Sequence, residues 1–257
     1  MSETTDTPTD AVLTEQHGRV LLITLNRPDA MNAINGALST GLWDAVGRLN
    51  EDPGLTAGVL TGTGAGFSSG MDLKAFSRGE DIGPMFTFIQ NGSTKPLIAA
   101  IEGFALAGGL ELALTCDLLV AAKGAKLGIP EVKVGLFAAG GGLLRLPSRV
   151  GYSKAMEMAL TGDPISAEEA NTFGLIARLS EPGSAVADAL ALAERIAKNA
   201  PLAVAASSTI IKGTVGLTEA EMWALQQEHQ GTVFMSNDAR EGPKAFAEKR
   251  EPNWTGS

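Results

Sequence analysis

Two short apolar runs, each passing straight into glycine, restrict the fold of this chain more than any other feature. Residues 56–61 (Thr-Ala-Gly-Val-Leu-Thr) lead into Gly62-Thr63-Gly64-Ala65-Gly66-Phe67-Ser68-Ser69-Gly70, and residues 97–102 lead into Gly103 and then Gly108-Gly109. An apolar run of this length bounded by turn residues is a buried strand, too short for a helix that must bury the same surface. Leu110 to Thr115 then starts a helix, and residues 117–122 return as a strand. The order strand, helix, short strand recurs about every forty residues without a clean sequence repeat. It implies an α/β chain with helices packed on sheet faces.

The flanks fit this order. Residues 11–16 and 19–25 are strand-like with His17-Gly18 as the turn between them, which makes His17 a turn residue. After Asn26-Arg27-Pro28, Leu38, Leu42, Ala45 and Leu49 fall on one face of a helix over 35–50. From about residue 152 the chain is mostly helical. Ser166 with Glu169, and Thr218 with Glu221, have capping-box spacing. Pro201 opens a helix to about Lys212, and further helices are expected over 218–235 and 239–249. The segment 199–257 holds no strand-like run. The expected division is a tail over 1–10, a core over 11–198 and a helical region over 199–257, which either caps the core or forms an oligomerisation surface.

Composition removes several classes of function. The net charge of −9 argues against nucleic acid as the main partner, since phosphate backbones need a basic stripe. The lone Cys116 lies in an apolar run, where it reads as a buried residue rather than a nucleophile, and a reducing cytoplasm is expected. The first ten residues, rich in Ser, Thr and Asp with Pro8, read as a disordered tail and not a signal peptide. No apolar run reaches the length of a membrane span. Two histidines far apart in sequence give no zinc-ligand spacing, so no metal is expected.

The chemistry-bearing residues are Glu111 and Glu131, twenty positions apart. The first follows Ala105-Leu106-Ala107-Gly108-Gly109-Leu110; the second follows Leu127-Gly128-Ile129-Pro130 and precedes Gly140-Gly141-Gly142. Two carboxylates bracketing one site suit general acid/base work on a water molecule. Two other motifs compete. Gly66-Phe67-Ser68-Ser69-Gly70 has the G-x-S-x-G form of a nucleophile elbow, for which His229 is the only candidate base. Gly62-Thr63-Gly64 opens like a dinucleotide loop, but Phe67 stands where the third glycine belongs. What remains is backbone: one glycine turn precedes Met71, and another ends at Gly108-Gly109 where a helix begins. Amides converging from two such loops form an oxyanion hole.

Taken in order, these pieces resemble the enoyl-CoA hydratase/isomerase (crotonase) superfamily over nearly the full chain. They are 25–33 (Leu-Asn-Arg-Pro-Asp-Ala-Met-Asn-Ala), 66–73 (Gly-Phe-Ser-Ser-Gly-Met-Asp-Leu), 103–113, Cys116-Asp117, 128–136, 141–147 and 245–250. The resemblance implies a crotonase-like spiral of repeated ββα units with a C-terminal helical trimerisation region, the trimers usually paired into hexamers. It implies that the amides of Met71 and Gly108 form the oxyanion hole and that Glu111 and Glu131 are the catalytic acids of an enoyl-CoA hydratase. No cofactor is implied beyond the coenzyme A of the substrate. Ala30, Ser68, Ser69, Gly70, Asp72, Leu73, Lys74 and Gly109 fall on the substrate-binding loops, with Lys74, Lys249 and Arg250 as charge contacts for the CoA phosphates. Two departures stand out. Asp29-Ala30 occupies a place where relatives often carry a basic residue, and Phe137-Ala138-Ala139 replaces a Pro-containing loop at the acyl end. The stretch 143–147 also resembles carnitinyl-CoA dehydratase-like members. An isomerase, a hydroxyacyl- or carnitinyl-CoA dehydratase, and a non-enzymatic acyl-CoA binder are the alternatives on this scaffold.

Overall fold

The computed structural model describes residues 10–257. The expected tail falls on residues 1–9, outside the described residues, apart from Asp10, whose carbonyl accepts the Asn26 amide at 3.1 Å. The chain opens with β1 (Val12–His17) and β2 (Val20–Leu25), paired antiparallel with His17 opposite Val20. His17 is therefore the last residue of a strand. The turn is Gly18-Arg19, where Gly18 supplies the left-handed backbone (φ +57°) that a tight hairpin requires.

Helix α1 (Gly36–Glu51) buries Leu38, Leu42, Ala45, Val46 and Leu49, and Asn35 caps it by accepting the Leu38 N–H at 3.0 Å. Then follow β3 (Ala57–Gly62), α2 (Leu73–Ser77), α3 (Gly83–Asn91), β4 (Leu97–Ile101), β5 (Phe104–Leu106) and α4 (Gly108–Thr115). The next turn comprises β6 (Leu118–Ala122), β7 (Lys126–Gly128), a 3-10 turn at Pro130–Val134, α5 (Gly142–Val150) and α6 (Tyr152–Thr161). After these come β8 (Ile165–Ser166), α7 (Ala167–Thr172), β9 (Arg178–Ser180) and α8 (Ala185–Ala197). The chain ends in α9 (Pro201–Gly213), α10 (Glu219–Phe234) and α11 (Asn237–Glu248), with no strand beyond Ser180 among the described residues.

Two sheets arise from this order. Six strands run β1-β2-β3-β4-β6-β9, parallel except for the first pair; three run β5-β7-β8. Each turn of the chain gives one strand to each sheet and then a helix: β4, β5, α4, then β6, β7, α5. In the turn before, the second strand shrinks to a single bridge between Ser68 and Ala105. This is the ββα spiral.

Period-2 alternation assigns the faces of the large sheet. Leu21, Ile23 and Leu25, with Leu97, Ala99 and Ile101, point into the main core beneath α1 and α4. Val20, Val59, Ile98, Ala100, Val120 and Ala122 face the other way, onto α8. That helix meets them with Ala185, Ala189, Ala193 and Ala197, a four-residue repeat of small side chains that lets helix and sheet approach closely. A larger residue here, such as Leu for Ala189, overpacks the layer at a cost of about 1–3 kcal/mol. The α8 N-terminus is held by Glu102, whose two oxygens accept the N–H groups of Gly183 (3.1 Å) and Ala185 (2.9 Å).

The cap spacings resolve differently. Thr218 and Glu221 form the full reciprocal box. Ser166 caps Glu169 N–H, but the Glu169 carboxylate turns to Lys154 at 2.9 Å instead of closing the box. Helix α9 is tied to the sheet by Asp117, which accepts from Ser208 Oγ at 3.1 Å and pairs with Lys212 at 2.7 Å.

Candidate active site

The site begins with a loop that cannot hold its shape through glycine alone. Asn32, buried and left-handed (φ +52°), accepts the Arg27 N–H at 2.9 Å. Its side-chain amide donates to the carbonyls of Thr63 (2.8 Å) and Gly66 (2.9 Å), pinning the glycine-rich segment after β3. Ile34 then bridges Met71: Ile34 N–H donates to Gly70 C=O at 2.8 Å and Asp72 N–H to Ile34 C=O at 2.9 Å. In a parallel bridge the flanking residues make the bonds, so the Met71 N–H points away from Ile34.

The Met71 nitrogen lies beside the start of α4. A Cβ on Gly108 would lie 3.7 Å from Met71 N, and one on Gly70 would lie 2.9 Å from Gly108 N. Among the described residues neither Met71 N–H nor Gly108 N–H donates to a protein acceptor. Ala107, which precedes Gly108, has φ +51° and ψ −131°, a conformation that costs a non-glycine residue about 1–3 kcal/mol. Its N–H is anchored on Gly128 C=O at 2.9 Å, so strand β7 holds the strained residue that aims Gly108.

One turn into α4 stands Glu111, 5% exposed. Its Oε1 accepts the Gly142 N–H at 2.9 Å. Burial pushes its carboxyl above the ordinary range, against the opposing pull of the Gly142 and Gly140 amides and the Arg145 charge. Glu131 lies in the 3-10 turn that begins at Pro130. Its Oε2 is closed off from solvent and has no hydrogen-bond partner among the described residues. Burial again raises its carboxyl, and the nearby Glu111 charge raises it further. Two carboxyls that feel one another, both biased toward holding a proton, are suited to exchange one with a bound reactant.

A profile of the Enoyl-CoA hydratase/isomerase family matches residues 15–257. The chain belongs to the enoyl-CoA hydratase/isomerase family. It is 40% identical to the enoyl-CoA hydratase EchA19 of Mycobacterium tuberculosis, over 94% of this chain and 95% of that protein. It is 39% identical to the carnitinyl-CoA dehydratase of Salmonella typhimurium, over 94% and 97% respectively. The crystal structure of an enoyl-CoA hydratase from Mycobacterium tuberculosis H37Rv superposes with a TM-score of 0.94 at 54% identity, covering 97% of this chain and all of that one.

Ala30 closes a 3-10 turn from Pro28, and Ser69 N–H donates to Met31 C=O at 3.0 Å. Gly70 has φ +95°, and a Cβ there would meet the Ala107 Cβ at 2.7 Å. Gly109 lies so close to the Ser68 carbonyl that no side chain fits between them. Leu73 and Lys74 stand exposed on the first turn of α2. Asp72 faces inward: Oδ1 accepts the Lys74 and Ala75 N–H groups as the α2 cap, and Oδ2 pairs with Arg27 at 3.1 Å. Those bonds hold its carboxyl below the usual range.

Ser68 is fully buried, its Oγ donating to Asn32 C=O at 2.9 Å and accepting the Gly70 N–H at 3.2 Å. Its N–H and C=O are used by Phe104 and Leu106. A hydroxyl so committed is no exposed nucleophile, which removes the elbow reading; His229 lies in α10, outside this loop. Cys116 is likewise buried, its thiol raised by desolvation. Arg250 is occupied by Glu241 (2.6 and 2.9 Å) and Glu248 (2.6 Å), which leaves Lys74 and Lys249 as the exposed cations of that expected trio. The pairing pulls Glu241 down to about 2.

Proximity in sequence misled on one point. Gly140-Gly141-Gly142 follows Glu131 in the chain but receives Glu111 in space. Asn32 and Arg145 went unrecognised as site residues because their partners lie tens of residues away.

Proposed function

We propose that this chain is an enoyl-CoA hydratase, adding water across the 2,3 double bond of an enoyl-CoA thioester. The observation that carries the reading is a pair of carboxyls close enough to interact, both raised by burial, one of them a turn into the helix that Gly108 opens beside Met71. The thioester oxygen accepts from Met71 N–H and Gly108 N–H, which stabilise the negative charge that develops there as the bond to C3 forms. Loss of one such donor typically costs about 10²–10³ in rate. Glu111, oriented by Gly142, holds the water and takes one of its protons as the oxygen bonds to C3. Glu131, whose Oε2 has no protein partner among the described residues, delivers a proton to C2. One water is consumed per double bond, and proton exchange between the two acids restores the starting state. No metal or redox group takes part in this scheme.

Ala30, Ser69, Gly70, Leu73, Lys74 and Gly109 cradle the CoA portion, with Ser68 and Asp72 shaping the loop from within. Residues 11–198 form the catalytic core and 199–257 an assembly region for a homotrimer or a dimer of trimers. Support comes from α10, which buries no residue within its own chain and exposes Trp223 and, at its end, Phe234. No helix among the described residues is long and apolar enough to cross a membrane, and a cytoplasmic enzyme is the reading that fits the single cysteine.

The second reading is dehydration of a hydroxyacyl- or carnitinyl-CoA, favoured by the 39% identity to a carnitinyl-CoA dehydratase. It uses the same groups in reverse. The test is turnover of a panel of 2-enoyl-CoA substrates, short to long, in ¹⁸O-labelled water. A 3-hydroxyacyl-CoA carrying the label at C3 is expected. Exclusive turnover of carnitinyl-CoA would shift the assignment to the dehydratase, and isomerisation of 3-enoyl-CoA without label would shift it to the isomerase.

A further inference from the structure

Beneath the glycine turn that receives Glu111 lies a guanidinium with no part in the scheme above. Arg145, in the first turn of α5, is half-buried. Its Nη2 donates to Ile89 C=O near the C-terminal end of α3, and its Nη1 reaches Gly140 C=O at 3.4 Å. A Cβ on Gly141 would lie 2.5 Å from Arg145 Nη1, and a Cβ on Gly140 would lie 2.5 Å from Glu111 Oε2. The turn 140–142 is thus a thin sheet of backbone with the arginine against one side and the glutamate against the other. Only glycine permits that sandwich.

We propose that Arg145 is the positioning residue of Glu111: anchored on Ile89 and Gly140, it fixes the turn whose amide holds the carboxylate and sets its positive charge on the far side of that turn. The inference rests on the hydratase reading for its catalytic meaning, though not for its geometry.

Other charges bear on the same region and set the expectation. Glu131, on the 3-10 turn, has its own ionisation opposed by the Glu111 charge. Helix α3 and strands β5 and β6, which pack on α4, carry no titratable residue. Arg149 and Asp117 face Cys116 at the far end of α4, with Arg149 Nη2 donating to Cys116 C=O at 3.4 Å. Burial is the largest influence on Glu111, and Arg145 is the cation that opposes it, together with the amides of Gly142 and Gly140 on the turn the arginine anchors. Arginine also suits the place because one planar fork reaches two carbonyls on different elements.

The test compares Arg145→Gln, which keeps N–H donors and loses charge, with Arg145→Lys, which keeps charge and loses the fork. The side-chain carboxyl of Glu111 is titrated directly by ¹³C NMR, its signal assigned by its disappearance in Glu111→Gln. Arg145→Gln is expected to move the midpoint upward by about one pH unit, and Arg145→Lys to move it upward by less, since the charge is kept and the anchoring fork is lost. A midpoint unmoved in Arg145→Gln, or moved equally by both substitutions, overturns the proposal. If Arg145→Gln does not fold, Arg145→Lys decides, since an unmoved midpoint there, with the fork lost, contradicts positioning by the arginine. Because the readout needs no turnover, a chain that fails to hydrate enoyl-CoA would refute the hydratase reading while leaving this result intact. With active enzyme, the acidic limb of the kcat profile is expected to follow the same shift.

Discussion

Gly142 and Glu111, thirty-one residues apart in sequence, meet through an N–H that donates to Oε1 at 2.9 Å. The contact joins the first turn of one helix to the start of another and leaves no room on either glycine beside it. A Cβ on Gly140 would fall 2.5 Å from Glu111 Oε2, and one on Gly142 would fall 3.1 Å from Oε1. Gly140→Ala is expected to displace the carboxylate and lower kcat/KM by about 10²-fold, the scale of an ångström of misplacement. Steady-state kinetics beside a thermal melt checks this; full activity in a folded variant would count against the placement.

The same carboxyls make a prediction about stability. Glu111 and Glu131 both titrate above the ordinary value of 4.5. Below that value folded and unfolded chains are both protonated and the shift has no effect. As pH rises the unfolded chain ionises first, so stability is lost from about pH 4.5 up to the folded midpoint and stays lost above it. Glu111→Gln and Glu131→Gln are therefore expected to melt higher than wild type at neutral pH, with the difference vanishing in acid. Melting curves across that range decide it, and an equal difference at every pH would contradict the sign.

How much of this was legible beforehand depends on the range of the interactions. β1, β2, α1 and β3 follow from apolar period and end within a residue or two of where the pattern places them. Phe104–Leu106, Lys126–Gly128 and Ile165–Ser166 are only two or three residues long, too short to show a period, and exist because a neighbouring strand pairs with them. Helix α3 was hidden by Gly83-Pro84, which reads as a loop but here sits in the first helical turn. Glu111 and Glu131 stood out by their glycine surroundings. Asn32, Ala107 and Arg145 did not, since a left-handed asparagine, a strained alanine and a buried guanidinium are visible only once distant backbone is in place.

The two amides can be tested through Gly70. It combines φ +95° with a Cβ position 2.9 Å from Gly108 N. Gly70→Ala is expected to push the Met71 loop off α4 and cost about 10²–10³ in kcat, since one donor is removed from the oxyanion. Wild-type kcat in a folded Gly70→Ala variant would exclude the pair as an oxyanion hole.

Assembly is expected to depend on the apolar residues that the isolated chain leaves on the surface. Phe234 is 71% exposed and Trp223 56%. The double substitution Trp223→Glu with Phe234→Glu is expected to reduce the mass seen by light scattering, because each buried carboxylate must be desolvated at the interface. An unchanged oligomer would place the contact elsewhere.

The most direct measurement is the ultraviolet absorbance of a conjugated enoyl thioester mixed with wild type and with Glu131→Gln. Wild type is expected to remove the absorbance, and the variant to do so at least about 10²-fold more slowly. Equal rates in the two proteins, or no loss with wild type on any chain length, would contradict the account.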